Sequence, residues 1–131
     1  MKILVTGAAG FVGNHLIDEL ENNGHYAVAA INNNENLSKG VTTYLANLSI
    51  KEEVEANVDF SKIDAVIHLA GMAAVGPSFE EPRKYIDLNA GIQINLFETC
   101  LKQGVKPKFL VISSGSLYDP KSEMPLNEDS T

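Results

Sequence analysis

Four short stretches of this chain are predominantly apolar: KILVT (residues 2–6), YAVAAI (26–31), IDAVIHLAG (63–71) and KFLVISS (108–114). Each reads as a buried strand, and VTTYLA (41–46) adds a shorter one. The segments between them follow a different period. From Phe11 to Asn23, the residues Phe11, Val12, Leu16, Ile17 and Leu20 recur at helical spacing, with Asp18, Glu19 and Glu21 on other faces. Gly24 stands where such a helix should stop. A second helix is expected from Ile50 to Asn57, with Ser49 as its cap. A loop through Gly76-Pro77 leads to a long helix from Pro82 to Gln103, closed by Gly104. Strands alternating with helices imply a parallel sheet covered on both faces. Right-handed crossovers make it a doubly wound α/β fold. The 131 residues suit one domain. Residues 115–131 (GSLYDPKSEMPLNEDST) are polar and turn-rich and read as a surface loop.

The first strand runs directly into TGAAGFVG, with glycines at Gly7, Gly10 and Gly13. Gly7 allows a sharp turn, Gly10 removes a side chain that would block a phosphate, and Gly13 lets the following helix pack close to the sheet. Backbone N–H groups around Phe11 and Val12, at the positive end of a helix, then face an anion. The spacing differs from G-x-G-x-x-G and lacks the Gly-Lys-Ser/Thr ending of a nucleoside-triphosphate loop. Its place between strand and helix favours a dinucleotide; a plain strand–helix turn is the alternative.

A net charge of −7 argues against a nucleic-acid or anionic-membrane partner, because both demand basic patches. No run approaches the roughly 20 apolar residues of a membrane span, and glycine interrupts the N-terminus too early for a signal peptide. A cytoplasmic protein is expected. The single cysteine, Cys100, has no disulfide partner and no ligand cluster, so it reads as a small apolar helix residue. His15 and His25 flank the first helix as surface or packing residues. His68, in an apolar strand, reads as a satisfied core histidine. No metal site is expected, and KEEVE (51–55) reads as a solvated helix face.

Taken in order, TGAAGFVG, HLAG, Pro82…Tyr85…Asn89 and ISSGSLY resemble the extended short-chain dehydrogenase/reductases. Within them the likeness is to the NAD-dependent epimerase/dehydratase group that acts on nucleotide sugars. The resemblance implies a Rossmann-type NAD(P)-binding domain over residues 1–131, with Gly7, Gly10, Phe11, Val12 and Gly13 around the cofactor pyrophosphate. It places Asn32 and Asn33 at the adenosine ribose, where the family usually has an acidic residue. Asparagine lacks the charge that repels a 2′-phosphate, and Lys39 is the nearest cation. NAD is therefore the expected cofactor and NADP the alternative. Asn47 and Leu48 match the position that meets adenine, where an amide oxygen would accept from the adenine amine. Leu69, Ala70 and Gly71 match the turn passing the cofactor. Asn89 matches a buried helix asparagine near the nicotinamide, or else serves only to satisfy the adjoining loop. Ile92-Gln93 departs from the Gly-Thr common in the family.

The same resemblance assigns Ser114 the catalytic hydroxyl and Ser116 a substrate contact; a strand end capping its own backbone is the alternative. The family's tyrosine transfers a proton to or from the substrate oxygen, and a lysine one helical turn later lowers its pKa. No Tyr-x-x-x-Lys occurs in this sequence. The expectation is a truncated chain: the cofactor-binding part of a nucleotide-sugar epimerase or dehydratase, inactive by itself and incomplete at its C-terminus. A 4-keto reductase of the same family, a non-catalytic dinucleotide sensor and a flavodoxin-like domain are the rival readings. The small-molecule partner implied is a nucleotide sugar, and the full-length protein would form a homodimer.

Overall fold

The computed structural model describes residues 1–32, 37, 40–114, 117–119, 121–122 and 124–130. Five strands, β1 (Lys2–Thr6), β2 (Tyr26–Ile31), β3 (Thr42–Leu45), β4 (Ala65–His68) and β5 (Lys108–Val111), form one sheet in the order β3-β2-β1-β4-β5. Every pairing is parallel. The helices are α1 (Phe11–Asn22), α2 (Lys51–Asn57), α3 (Val75–Glu80) and α4 (Pro82–Lys102). The chain steps outward from β1 to β3, then crosses back to add β4 and β5 on the other side. Order therefore reverses between β1 and β4. The connections leaving those two strands diverge, so a crevice opens above their carboxyl ends.

Alternate side chains of each strand enter different cores. Leu4, Val28, Ala30 and Val66 pack with Val54 of α2, with Phe60, and with Leu96 and Cys100 of α4. Val5, Ala27, Ala29 and Ile31 pack on the opposite face with Ala8 of the turn after β1 and Ile17 of α1. Covering both faces is why the strands show no apolar–polar alternation. It is also why Cys100 is buried as an apolar residue, with its thiol pushed up to about 11 by desolvation.

Several expectations need correction. Phe11 and Val12 do not join the buried stripe of α1: they are 82% and 60% exposed, while Gly13 and Ile17 are buried. Both stand on the first turn, beside the strand ends, where the sheet no longer lies beneath them. Ser49 does not cap α2. The cap residue is Ile50, without a side-chain bond, and Ser49 donates its N–H and its hydroxyl to Asn47 Oδ1 at 3.1 and 2.8 Å. Gly76-Pro77 lies inside α3, not in a loop. Proline is tolerated there because first-turn residues have no N–H acceptor within the helix. A 3₁₀ turn, Phe60–Lys62, was not foreseen; Asp59 caps it by accepting from Ser61 N at 2.9 Å. KEEVE is not simply solvated. Val54 is fully buried, and Lys51–Glu98 and Lys102–Glu55 ion pairs, each 2.6 Å, tie α2 to α4. No helix among the described residues is long and apolar enough to cross a membrane.

Candidate functional site

The site grows from the end of β1. Gly7 has φ +66°, and a Cβ placed on it would stand 2.9 Å from Ala70 N. A side chain is excluded both by backbone conformation and by the neighbouring turn after β4. Gly10 donates to Gly7 O at 3.0 Å and is the N-cap of α1. A Cβ on Gly13 would lie 2.3 Å from Gly7 O and 2.7 Å from Ala8 Cα. Gly13 therefore seats the helix on the glycine turn itself, not on the sheet as expected. The first bond into α1 runs from Asn14 N to Gly10 O, 3.0 Å. Among the described residues, no group accepts from the N–H groups of Phe11, Val12 and Gly13. Three donors and the positive end of a 12-residue helix thus converge above the sheet.

Two adjoining cavities occupy the crevice. The first, about 370 Å³, is lined by Gly7 and Gly10, by Asn32 after β2, by Asn47 and Leu48 after β3, and by Leu69, Ala70 and Gly71 after β4. The second, about 660 Å³, shares Leu69–Met72 and continues past Val12, His68, Asn89 and Gln93 to Ser113 and Ser114 beyond β5. Residues distant in sequence are thereby strung along one groove over the carboxyl ends of all five strands. Among the described residues lining it there is no lysine or arginine. Any anion held here meets main-chain amides. Phe11 and Gly13 line neither cavity: Phe11 turns outward onto His15, ring centroids 4.9 Å apart, and Gly13 lies behind the turn. Asn33, Lys39 and Ser116 lie outside the described residues.

Asn89 is exposed, not buried as expected. Its side chain accepts from Met72 N at 2.7 Å and donates to Met72 O at 3.1 Å. It closes the turn after β4 from above, and Gly71 fits under it, since a Cβ there would lie 3.1 Å from Asn89 Oδ1. The same turn is held from below by a buried network that sequence reading missed. Thr6 and His68 are register partners on β1 and β4. Thr6 Oγ1 accepts from Leu69 N (3.2 Å) and Ala70 N (3.1 Å), and lies 2.7 Å from His68 Nδ1. With its oxygen occupied by two amides, the Thr6 hydroxyl donates its hydrogen to Nδ1. His68 is thus the satisfied core histidine expected, in the tautomer protonated at Nε2. Burial lowers its pKa and so favours the neutral ring. β4 ends at His68, not at residue 71, because Thr6 takes over the next two amides.

Asn47 is fixed on three sides. Its N–H donates to Glu53 Oε2 at 2.7 Å, its carbonyl accepts from Ile50 N at 2.9 Å, and its Oδ1 accepts both donors of Ser49. Neighbouring Leu48 is held through its carbonyl by buried Asn95 Nδ2 at 2.9 Å. Glu53 and Asn95 gave no local signal in the sequence; each acts across a tertiary contact. Among the described residues no group of three or more His, Cys, Asp or Glu is placed to hold a metal.

Residues 3–131 match the NAD dependent epimerase/dehydratase family. The chain is 40% identical to UDP-glucose 4-epimerase of Pisum sativum, over 98% of its own length and 41% of that protein. It superposes on UDP-glucose 4-epimerase from Bifidobacterium longum, solved in complex with NAD+ and UDP, with TM-score 0.84 and 31% identity, covering 100% of this chain and 42% of that one. The enzyme from Stenotrophomonas maltophila, solved with NAD and formylated UDP-arabinopyranose, gives TM-score 0.86 at 28% identity, again over 100% and 42%. The chain spans about two fifths of the length of the relatives it matches.

Proposed function

The chain belongs to the NAD-dependent epimerase/dehydratase family, and from that premise we propose that residues 1–131 are the NAD-binding domain of a UDP-sugar epimerase. The observation that carries the proposal is the trio of amides on Phe11, Val12 and Gly13, which no described residue accepts from, set beside Gly10 at the switch between β1 and β4. A diphosphate matches such donors in charge and size, and a side chain at Gly10 would intrude on its space. The relatives solved with NAD support that cofactor over NADP, as does the lack of any lysine or arginine among the described lining residues.

In this reading bound NAD would supply reversible hydride transfer at a sugar carbon. The protein's part is positional. The α1 amides hold the diphosphate, Asn32 meets the adenosine ribose, and the Leu69–Gly71 turn runs beside the cofactor, held by Thr6 from below and Asn89 from above. Ser114, on the rim of the second cavity, would orient the sugar oxygen, with Ser116 nearby in sequence. Because the sequence contains no Tyr-x-x-x-Lys, the proton transfer that must accompany hydride transfer has no expected donor here. The chain by itself should bind NAD and leave UDP-sugars unconverted. Calorimetric titration with NAD, NADP and flavin nucleotides tests the cofactor: preference for NAD is expected, and binding of flavin alone would refute it. Measurable interconversion of UDP-glucose and UDP-galactose by the purified chain would refute the assignment of catalysis to residues outside it.

A further inference from the structure

The first cavity has a direction. Neighbouring strands lie about 4.8 Å apart, and the groups facing the crevice follow strand order outward from β1. Gly7 and Gly10 of the glycine turn follow β1, Asn32 follows β2, and Asn47 follows β3. A diphosphate over β1 therefore puts the attached sugar over β2 and the base over β3. There the walls are the apolar side chains of Ala30, Ala46, Leu48 and Ile92, suited to a flat ring. Asn47 is the polar side chain at that end.

What Asn47 can offer a base is settled by its own bonds. Ser49 N can only donate, so the side-chain atom facing it at 3.1 Å is the amide oxygen whichever way the amide is first drawn. An amide oxygen accepts two hydrogen bonds, and the Ser49 hydroxyl at 2.8 Å supplies the second. The main-chain N–H and carbonyl of Asn47 are engaged with Glu53 and Ile50. No described residue accepts from Asn47 Nδ2. The expected acceptance of an adenine amine by Asn47 oxygen is thus not available; what remains is a donor.

Resting on the cofactor reading above, we propose that Asn47 determines base specificity by donating to a ring nitrogen of the purine, so that the exocyclic amine is not read. A carboxylate at this position would do the opposite. One oxygen would hold Ser49 and the other would accept from the amine.

The probe is an NAD analogue in which hydrogen replaces the purine 6-amino group, keeping every ring nitrogen. By calorimetry, the native chain should bind it within threefold of NAD. Asn47→Asp should bind it at least tenfold more weakly than NAD, as expected when a charged hydrogen bond is lost. A tenfold or greater preference of the native chain for NAD would overturn the inference while leaving the cofactor site standing. So would an Asn47→Asp variant that binds NAD and discriminates no better than the native chain. If the native chain bound neither dinucleotide, the cofactor reading itself would fall, and this inference with it.

Discussion

Gly10 and Gly13 are three residues apart in one turn, yet substituting them should damage different properties. At Gly10 the backbone has φ −73° and ψ 170°, which alanine adopts without strain. A Cβ there meets only Gly7 O, at 3.1 Å. The contact needs a shift of a few tenths of an ångström, and the loss of glycine's freedom in the unfolded chain offsets about 0.4–1 kcal/mol of its cost. Net stability should change by less than about 1 kcal/mol, or roughly 4 °C in Tm for a domain of this size. Gly10 nevertheless lines the first cavity, so the added methyl takes space there. Pushing a diphosphate off even two of the first-turn amides of α1, with charge-assisted bonds worth about 1.5–3 kcal/mol each, should weaken NAD binding by roughly a hundredfold or more. At Gly13 the balance reverses. Its Cβ would sit 2.3 Å from Gly7 O and 2.7 Å from Ala8 Cα, against ordinary contacts of about 3.5 Å. Both obstacles are backbone, so no rotamer relieves them, and the cost belongs at or above the top of the usual overpacking range, about 3 kcal/mol. Gly13→Ala should lose roughly 10 °C or fail to fold. Circular dichroism melts and NAD calorimetry on both variants decide the matter. A Gly10→Ala protein with native affinity, or a Gly13→Ala protein with native Tm, would refute the assignment of one glycine to the ligand and the other to packing.

Thr6→Val should cost about 2–4 kcal/mol in urea unfolding, because it strands the Ala70 amide and His68 Nδ1 in a buried site and leaves Leu69 N only the Thr6 carbonyl at 3.3 Å; Thr6→Ser, which keeps the hydroxyl, should cost under about 1 kcal/mol. For His68, burial lowers the folded pKa, so between that value and the unfolded value near 6.5 the unfolded chain binds more protons. This contribution to stability is complete above about pH 6.5 and is lost as pH falls toward the folded pKa, at up to about 1.4 kcal/mol per pH unit. Equilibrium unfolding between pH 7.5 and 5 should show that slope, and His68→Asn should flatten it. The Cys100 thiol, raised to about 11, should be roughly a thousandth ionised at pH 8. Alkylation should be negligible in the native chain and rapid in denaturant; fast native alkylation would contradict its place beneath α4.

Legibility differed sharply between backbone and side chains. The strands were readable because a sheet covered on both faces selects unbroken apolar runs, and β2 was bounded to the residue. The glycine turn was readable for a related reason: Gly7 answers a local backbone requirement, so its role shows in one short segment. Residues whose partners are far away were not readable. Thr6 looked like the last residue of a strand, and only its register beside His68 makes it the anchor of the turn after β4. Phe11 and Val12 had the period of a buried face, but period cannot show that the sheet ends beneath the first turn of α1. Asn89 was assigned to a buried setting, whereas packing leaves it exposed over the Met72 backbone.

The sequence alone determined the class of the fold and the kind of ligand it suits, since apolar period and glycine spacing express local backbone geometry. Tertiary structure decided which atoms face that ligand. The two donors of Ser49 consume the oxygen of Asn47, and Glu53 and Asn95 hold its turn. Hydrogen-bond valence is used up in space by neighbours that no local pattern announces.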